Sequence, residues 1–339
     1  MRRRQGDFVS EPGPFPGETK ERDIYAHCNF IVTGCSGWLG RYTAEALSEA
    51  LGDEFDRRVF LLGSKAGEMR VAGKMRPVGA LADALATVDA NPVIVFHYAF
   101  LTKDRVTVLG QSEYKRANRF ISELVQKFSE RAAVAAMVLP SSGAVYDFIQ
   151  SRSRDPDANI YGALKWEDEM RFGRLAEEKK FTLIVPRIFN LSGVHMNKID
   201  QYALGSICAD AARGGPIRIR ADRPVLRSYV DIGDLVEFCI RLSLCMEGGS
   251  TTLFDTAGDR VIEIGELAQL ASEVLSGGKM RIERPVFSAK EPDYYVGDRA
   301  TLDVITARTQ MVWRPLEEQI RITGEYVKNR FRSEQEPDS

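Results

Sequence analysis

Two short stretches carry side chains whose types and spacing suit chemistry. Tyr161-Gly162-Ala163-Leu164-Lys165 sets a phenol and an amine four residues apart. On a helix those positions share a face, so both groups can enter one cleft. An ammonium about 5–6 Å from the phenol, at an effective dielectric near 20, favours the phenolate by about 3 kcal/mol. That is roughly two pKa units off a starting value near 10, before desolvation is counted. A phenol tuned toward neutrality can exchange a proton with a substrate hydroxyl. Alone the pattern is weak, because Tyr and Lys at this spacing are common on surface helices. The second stretch is Thr33-Gly34-Cys35-Ser36-Gly37-Trp38-Leu39-Gly40, between an apolar run and a helical pattern. There Gly34 suits a tight turn, Gly37 admits a pyrophosphate close to the backbone, and Gly40 lets helix pack on strand. Ser36, Trp38 and Leu39 lie at the helix N-terminus, whose amides favour an anion.

Such groups need a frame that gathers strand ends and helix N-termini along one edge. Short apolar runs alternate with helical stretches: Phe30-Ile31-Val32 before Tyr42 to Leu51, then Val59-Phe60-Leu61-Leu62 before a basic loop. Val93-Ile94-Val95-Phe96 precedes a helix around Tyr114 to Phe128. Ala136-Met137-Val138-Leu139 precedes a helix from about Tyr161 to Lys180, and Thr182-Leu183-Ile184-Val185 follows. Runs of four to six apolar residues fit strands covered on both faces, and the alternation predicts a Rossmann-type doubly wound parallel α/β sheet. After Ile188 the rhythm loosens into a smaller, mixed α/β lobe.

The expected division is a flexible arm over 1–27 and a dinucleotide-binding domain over 28–190, with 225–258 returning to it. A substrate lobe takes 191–224 and 259–332, and 333–339 forms a frayed tail. In 339 residues, 46 Lys+Arg against 48 Asp+Glu leave a net charge of −2, which argues against a nucleic-acid protein. No apolar run reaches membrane-span length. Gly6-Asp7-Phe8 after Met1-Arg2-Arg3-Arg4 does not continue as a signal peptide. Five scattered cysteines without a C-x-x-C pair suit reduced thiols and a cytoplasmic location, and no metal site is expected.

The glycine turn, with Thr before its first Gly, resembles that of the extended short-chain dehydrogenase/reductase family, which contains the NAD-dependent epimerases and dehydratases of nucleotide sugars. Further motifs are similar over roughly Cys28 to Arg330. Pro140-Ser141-Ser142-Gly143-Ala144-Val145-Tyr146 matches the segment in which the family keeps a hydroxyl residue, here Ser142, to hold the substrate oxygen, with Gly143 beside it. Asn118 falls where such enzymes keep an Asn supporting the active-site backbone. Phe96-His97-Tyr98-Ala99 resembles the fourth-strand ending beside the cofactor, so Ala99 is expected there; Phe100 replaces the family's second Ala and remodels that wall. His97 reads as a packed histidine. Pro186-Arg187-Ile188-Phe189-Asn190 and Arg227-Ser228-Tyr229-Val230-Asp231 resemble segments whose Asn and Arg grip a substrate diphosphate. Met311-Val312-Trp313-Arg314-Pro315 echoes the family's ending.

The resemblance implies Tyr161 as acid/base, Lys165 as pKa modulator and ribose anchor, and a nicotinamide cofactor. At the end of the second strand, Leu62-Gly63-Ser64-Lys65 lacks the carboxylate that would bond a ribose diol. Ser64 and Lys65, with Arg41 or Arg70, can receive a 2′-phosphate, so NADP is favoured slightly over NAD. Gly143 and Ala144 replace the acid pair of sugar dehydratases, which disfavours dehydration. Gly143 also lacks the thiol of the epimerase–reductases, although His195 lies where their histidine falls. The leading expectation is an NAD(P)-dependent epimerase or keto-reductase of a nucleotide-activated sugar, working as a homodimer. The alternatives are an NADPH-dependent reductase of a non-nucleotide carbonyl, with Asn190 and Arg227 structural, and a catalytically silent dinucleotide sensor.

Overall fold

The computed structural model describes residues 28–87, 92–151, 155–245, 248–288 and 290–335. The expected arm over 1–27 and the last four residues of the expected tail lie outside the described residues. The chain divides into two compact units. The first is Met1–Ile188 with Val236–Phe254; the second is Phe189–Leu235 with Asp255–Ser339. The stretch that rejoins the first unit is thus shorter than 225–258.

The first unit is built on a nine-stranded, mostly parallel sheet. Its strands are β1 (Asn29–Thr33), β2 (Val59–Gly63), β3 (Gly67–Val71), β4 (Lys74–Ala80), β5 (Val93–His97), β6 (Val134–Val138), β7 (Ser141–Ser142) and β8 (Thr182–Ile188), with a last strand at Thr251–Asp255. Their order from that last strand is β8, β6, β5, β1, β2, β4, β3, and β7 pairs with β8. β1 lies between β2 and β5, parallel to both. The apolar runs that predicted these strands are sealed: Phe30, Ile31, Val32, Ile94, Val95 and Phe96 have no exposed surface. That is how strands covered on both faces read. Three helices matter for the site: α1 (Trp38–Leu51), α2 (Gln111–Arg131) and α3 (Ile160–Lys179). Phe128 of α2 and Phe172, Leu175 and Ala176 of α3 join Ile31, Val95, Met137 and Leu183 of the sheet in one core cluster.

The basic loop expected after β2 is instead the hairpin β3–β4, paired antiparallel from Gly67↔Val78 to Val71↔Lys74. Met69 and Val71 are buried while Glu68 and Arg70 are exposed, the period of a half-covered strand. Ala72 and Gly73 turn the chain at φ 47° and 81°, the left-handed pair that two-residue hairpins favour. The charges masked a period of two.

In the second unit Val225–Arg227 pairs antiparallel with Ile262–Glu263 and parallel with Asp293–Tyr295. Its helices include Ala203–Ala212, Ile264–Ser276, Ala300–Thr309 and Leu316–Gln335. The last of these runs through 333–335, so that part of the expected tail is helical. Among the described residues no helix is long and apolar enough to cross a membrane.

Candidate active site

The glycine turn closes through the Gly37 amide, which donates to the Gly34 carbonyl at 2.9 Å. Gly34 holds φ +64°, and a Cβ there would lie 2.8 Å from the Ala99 nitrogen; a Cβ on Gly40 would lie 2.3 Å from the Gly34 oxygen. Both positions therefore need glycine for the close approach of strand, turn and helix. Gly37 caps α1 with no side-chain hydrogen bond, and the first turn of α1 has no acidic residue. The Ser36, Trp38 and Leu39 backbone stands at this N-terminus. A cradle a Cβ would fill, at a helix N-terminus whose first turn carries no acidic residue, fits a dinucleotide pyrophosphate. Burial pushes the Cys35 thiol in this turn up to about 11, so it is no nucleophile.

Thr33 ties the turn to the end of β5. Its hydroxyl accepts from the Ala99 amide at 3.1 Å and bonds Nδ1 of His97 at 3.0 Å. His97 is buried, and burial with the nearby Lys165 charge lowers its pKa to about 3. It is a neutral, packed histidine, edge-on to Phe172 at 5.5 Å.

Beyond Ala99 the backbone is clamped. The Asn118 side chain accepts from the Leu101 amide at 2.7 Å, and the Tyr114 hydroxyl donates to the Leu101 carbonyl at 2.6 Å. Asn118 therefore supports the loop carrying Phe100, and Tyr114, one turn earlier on α2, is a second support that the motifs missed.

Tyr161 and Lys165 stand on the same face of α3, and both meet Phe100. The Tyr161 ring lies edge-on to the Phe100 ring at 5.8 Å, with planes at 84°. Nζ of Lys165 sits 3.8 Å from the Phe100 ring centre and donates to the Pro140 carbonyl at 2.9 Å. Burial lowers the Lys165 pKa to about 8, with Asp168 and Glu169 acting in the other direction.

Ser142 is buried on β7, and its hydroxyl accepts from the Ala144 amide at 3.2 Å. The Gly143 amide donates to the Ile188 carbonyl at 3.0 Å. Asn159 fastens this turn to α3: its side chain accepts from the Gly162 amide at 3.1 Å and donates to the Ala144 carbonyl at 2.9 Å. A Cβ on Gly162 would fall 2.2 Å from that carbonyl. Asn159 and Gly162 thus draw the first turn of α3 against the Ser142 turn. An Asn just before a helical pattern is an N-cap signal, and it was there to be read.

Behind Lys165, Glu169 and Arg187 form a two-point ion pair at 2.9 and 2.6 Å, both side chains nearly sealed. Ser141 also donates to Glu169, and Arg187 lies 4.8 Å over the Tyr146 ring. Asp168, 5% exposed, has its pKa raised to about 6, chiefly by burial.

Ser64 and Lys65 follow β2 and are exposed. Arg70 donates to its own hairpin turn at the Gly73 carbonyl, 2.9 Å.

In the second unit the expected substrate groups have partners of their own. Asn190 donates to the Ser228 and Tyr295 carbonyls, both at 3.2 Å. Arg227 makes a two-point ion pair with Asp293, at 3.3 and 3.0 Å, and also reaches the Leu226 and Asp293 carbonyls. His195 holds φ 62°, with its ring 6.0 Å from Tyr326.

The sequence profile of the NAD dependent epimerase/dehydratase family matches residues 30–250. The chain belongs to this family, a branch of the extended short-chain dehydrogenases/reductases. It is 22% identical over 284 residues to UDP-glucuronic acid decarboxylase 6 of Arabidopsis thaliana, covering 80% of this chain and 81% of the relative. Among solved structures it resembles UDP-N-acetylglucosamine 4-epimerase from Methanobrevibacter ruminantium, in complex with UDP-N-acetylmuramic acid. The identity is 18%, the TM-score 0.67, and the match spans 90% of this chain and 99% of the other. It also resembles the UDP-glucose 4-epimerase of Thermus thermophilus, solved with NAD. There the identity is 18%, the TM-score 0.65 and the coverage 88% and 99%.

Proposed function

We propose that the protein is a nicotinamide-dependent epimerase or keto-reductase of a nucleotide-activated sugar. The observation that carries this reading is the meeting of Tyr161 and Lys165 at Phe100, just past the carboxyl end of β5. In open parallel sheets ligands bind outside that edge.

The backbone of Gly34, Ser36, Gly37, Trp38, Leu39 and Gly40 would hold the pyrophosphate, with Ala99 alongside and Tyr161 and Lys165 toward the ribose. A nicotinamide dinucleotide, when bound, gives or takes the hydride. Tyr161 moves the proton of the sugar hydroxyl at its phenolic oxygen. Lys165 favours the phenolate through its charge. Ser142 orients the substrate oxygen, and Asn118 fixes the loop beside it. Gly143, Asn190, His195 and Arg227 complete the substrate set.

Similar structures solved with NAD favour that dinucleotide. Arg70, held by its own hairpin, is removed from the cations expected at a 2′-phosphate; only Ser64, Lys65 and Arg41 then speak for NADP. The same reading brings a homodimer and a cytoplasmic location.

The test is incubation of the purified protein with UDP-glucose, UDP-glucuronic acid or UDP-N-acetylglucosamine, with NAD or NADPH added. A changed sugar with no net redox change supports epimerisation; stoichiometric NADPH loss on a keto-sugar supports reduction. No binding of either dinucleotide in a fluorescence titration would refute both.

One observation favours a second reading. Asn190 and Arg227 are satisfied within their own unit, as a reductase of a non-nucleotide carbonyl would have them. Unchanged turnover of a small ketone in Arg227→Met, with no response to UDP-sugars, would select it.

A further inference from the structure

Phe100 is the group at this site that no motif requires. The resembled pattern has a small residue here, and the chain places a large ring against both members of the acid–base pair. The backbone around the ring is held at three points: the Ala99 amide on Thr33, the Leu101 amide on Asn118, and the Leu101 carbonyl on Tyr114. The ring packs with Leu101 and Val106 against Tyr114, Ile160 and Leu164. It is a fixed wall.

Lys165 explains what the wall does. Lys165 is buried, 8% exposed as a residue, and among the described residues no carboxylate lies within ion-pair distance of its ammonium. Its near partners are one carbonyl and the face of Phe100, 2.9 and 3.8 Å away. An aromatic face attracts a cation electrostatically, more strongly when water is excluded. The edge-on contact with Tyr161, at 5.8 Å, sets the phenol ring at 84° to the same platform.

We propose that Phe100 is a positioning residue of the Tyr161–Lys165 pair: its face keeps the buried amine in the ammonium form, and its ring fixes the orientation of the phenol. This rests on the acid–base reading of Tyr161 and Lys165 given above. The charged or titratable groups around the pair include Asp168 and Glu169 on α3, His97 at the end of β5, Tyr114 on α2, and Arg187 of β8, which is paired with Glu169. Burial draws the Lys165 proton off near pH 8, so the aromatic face acts in the pH range where the amine would otherwise lose its charge. Without the ring the amine gives up its proton earlier, and the phenol, with no neighbouring charge, ionises later.

The test needs no substrate. The difference in near-ultraviolet tyrosinate absorbance between the wild type and Tyr161→Phe, followed against pH, reports ionisation of Tyr161 alone. Phe100→Leu keeps apolar bulk and loses the aromatic face, and its midpoint, measured against the matching Tyr161→Phe double variant, should rise by about one pKa unit. Phe100→Trp restores the face, and its midpoint should stay near that of the wild type. Phe100→Met replaces the Leu variant should that one melt out early, with thermal melts of all variants as the control. Equal midpoints in the Leu and Trp variants overturn the proposal while leaving the acid–base reading standing. A wild-type midpoint in the ordinary tyrosine range overturns both.

Discussion

The surroundings of Lys165 and of Arg227 treat a cation in opposite ways. Lys165 is buried in the first unit, with a carbonyl and an aromatic face as its near partners and its acidic neighbours Asp168 and Glu169 acting only at longer range. Arg227, in the second unit, has a carboxylate across its fork and two further carbonyl contacts. A charge left under-compensated by burial has a protonation state that small changes move, which is the condition of a working acid–base site. A charge neutralised by a two-point pair holds its place and binds nothing else until that pair opens. On the proposed reading the first region is preset for proton chemistry; the second, if it takes a phosphate, must first give up Asp293.

Lys165→Met should produce the largest effect. Turnover should fall about 10²–10⁴-fold, the range for a lost acid–base function. Because the folded state lowers the Lys165 pKa, the burial of its ammonium opposes folding in full below about pH 8, and that penalty fades as pH rises toward the ordinary lysine value of 10.5. The variant should therefore melt no lower than the wild type at pH 7, and a fall of many degrees in calorimetry would show the amine to be structural after all.

A smaller effect is expected from Asp293→Asn, which keeps the shape and removes the charge facing Arg227. Affinity for UDP should rise about 3–10-fold by calorimetric titration, the scale of one exposed-to-half-buried ion pair released to a phosphate. Unchanged affinity would mean that Arg227 serves only the fold, and the contrast with Lys165 would become one between chemistry and scaffold.

The smallest effect concerns Asp168. Its folded pKa, about 6, lies above the ordinary carboxylate value. The folded state therefore binds the proton more tightly, and the resulting stability is full below about pH 3.8 and is lost as pH rises through about 6. Thermal midpoints should decline across that window, and Asp168→Asn should flatten the decline. A decline that persists unchanged in the variant would assign it to another group.

Much of the site could be read before any coordinates, because its signals are local. A glycine turn between strand and helix, and a phenol and amine one helical turn apart, are short-range patterns with direct geometric meaning. The supports were harder to see. Asn159 was readable as an N-cap, but its second bond, to Ala144 fifteen residues away, has no spacing rule. Arg187 belongs to a legible motif, but its partner Glu169 sits on a different element, and no spacing rule joins them. The β3–β4 hairpin was hidden because its outward residues are charged, and a basic composition reads as loop before its alternation is noticed.

Sequence alone determined the strand-and-helix alternation, the turn that suits a pyrophosphate, and the face shared by Tyr161 and Lys165. Each follows from backbone geometry over a few residues, where neighbours along the chain are neighbours in space. Only the tertiary structure decided that Phe100 lies under the ammonium, 65 positions from it, and that Asp293 fills the fork of Arg227 across 66. Those contacts arise when distant segments pack, and packing depends on shape and burial across the whole unit, which no local spacing records.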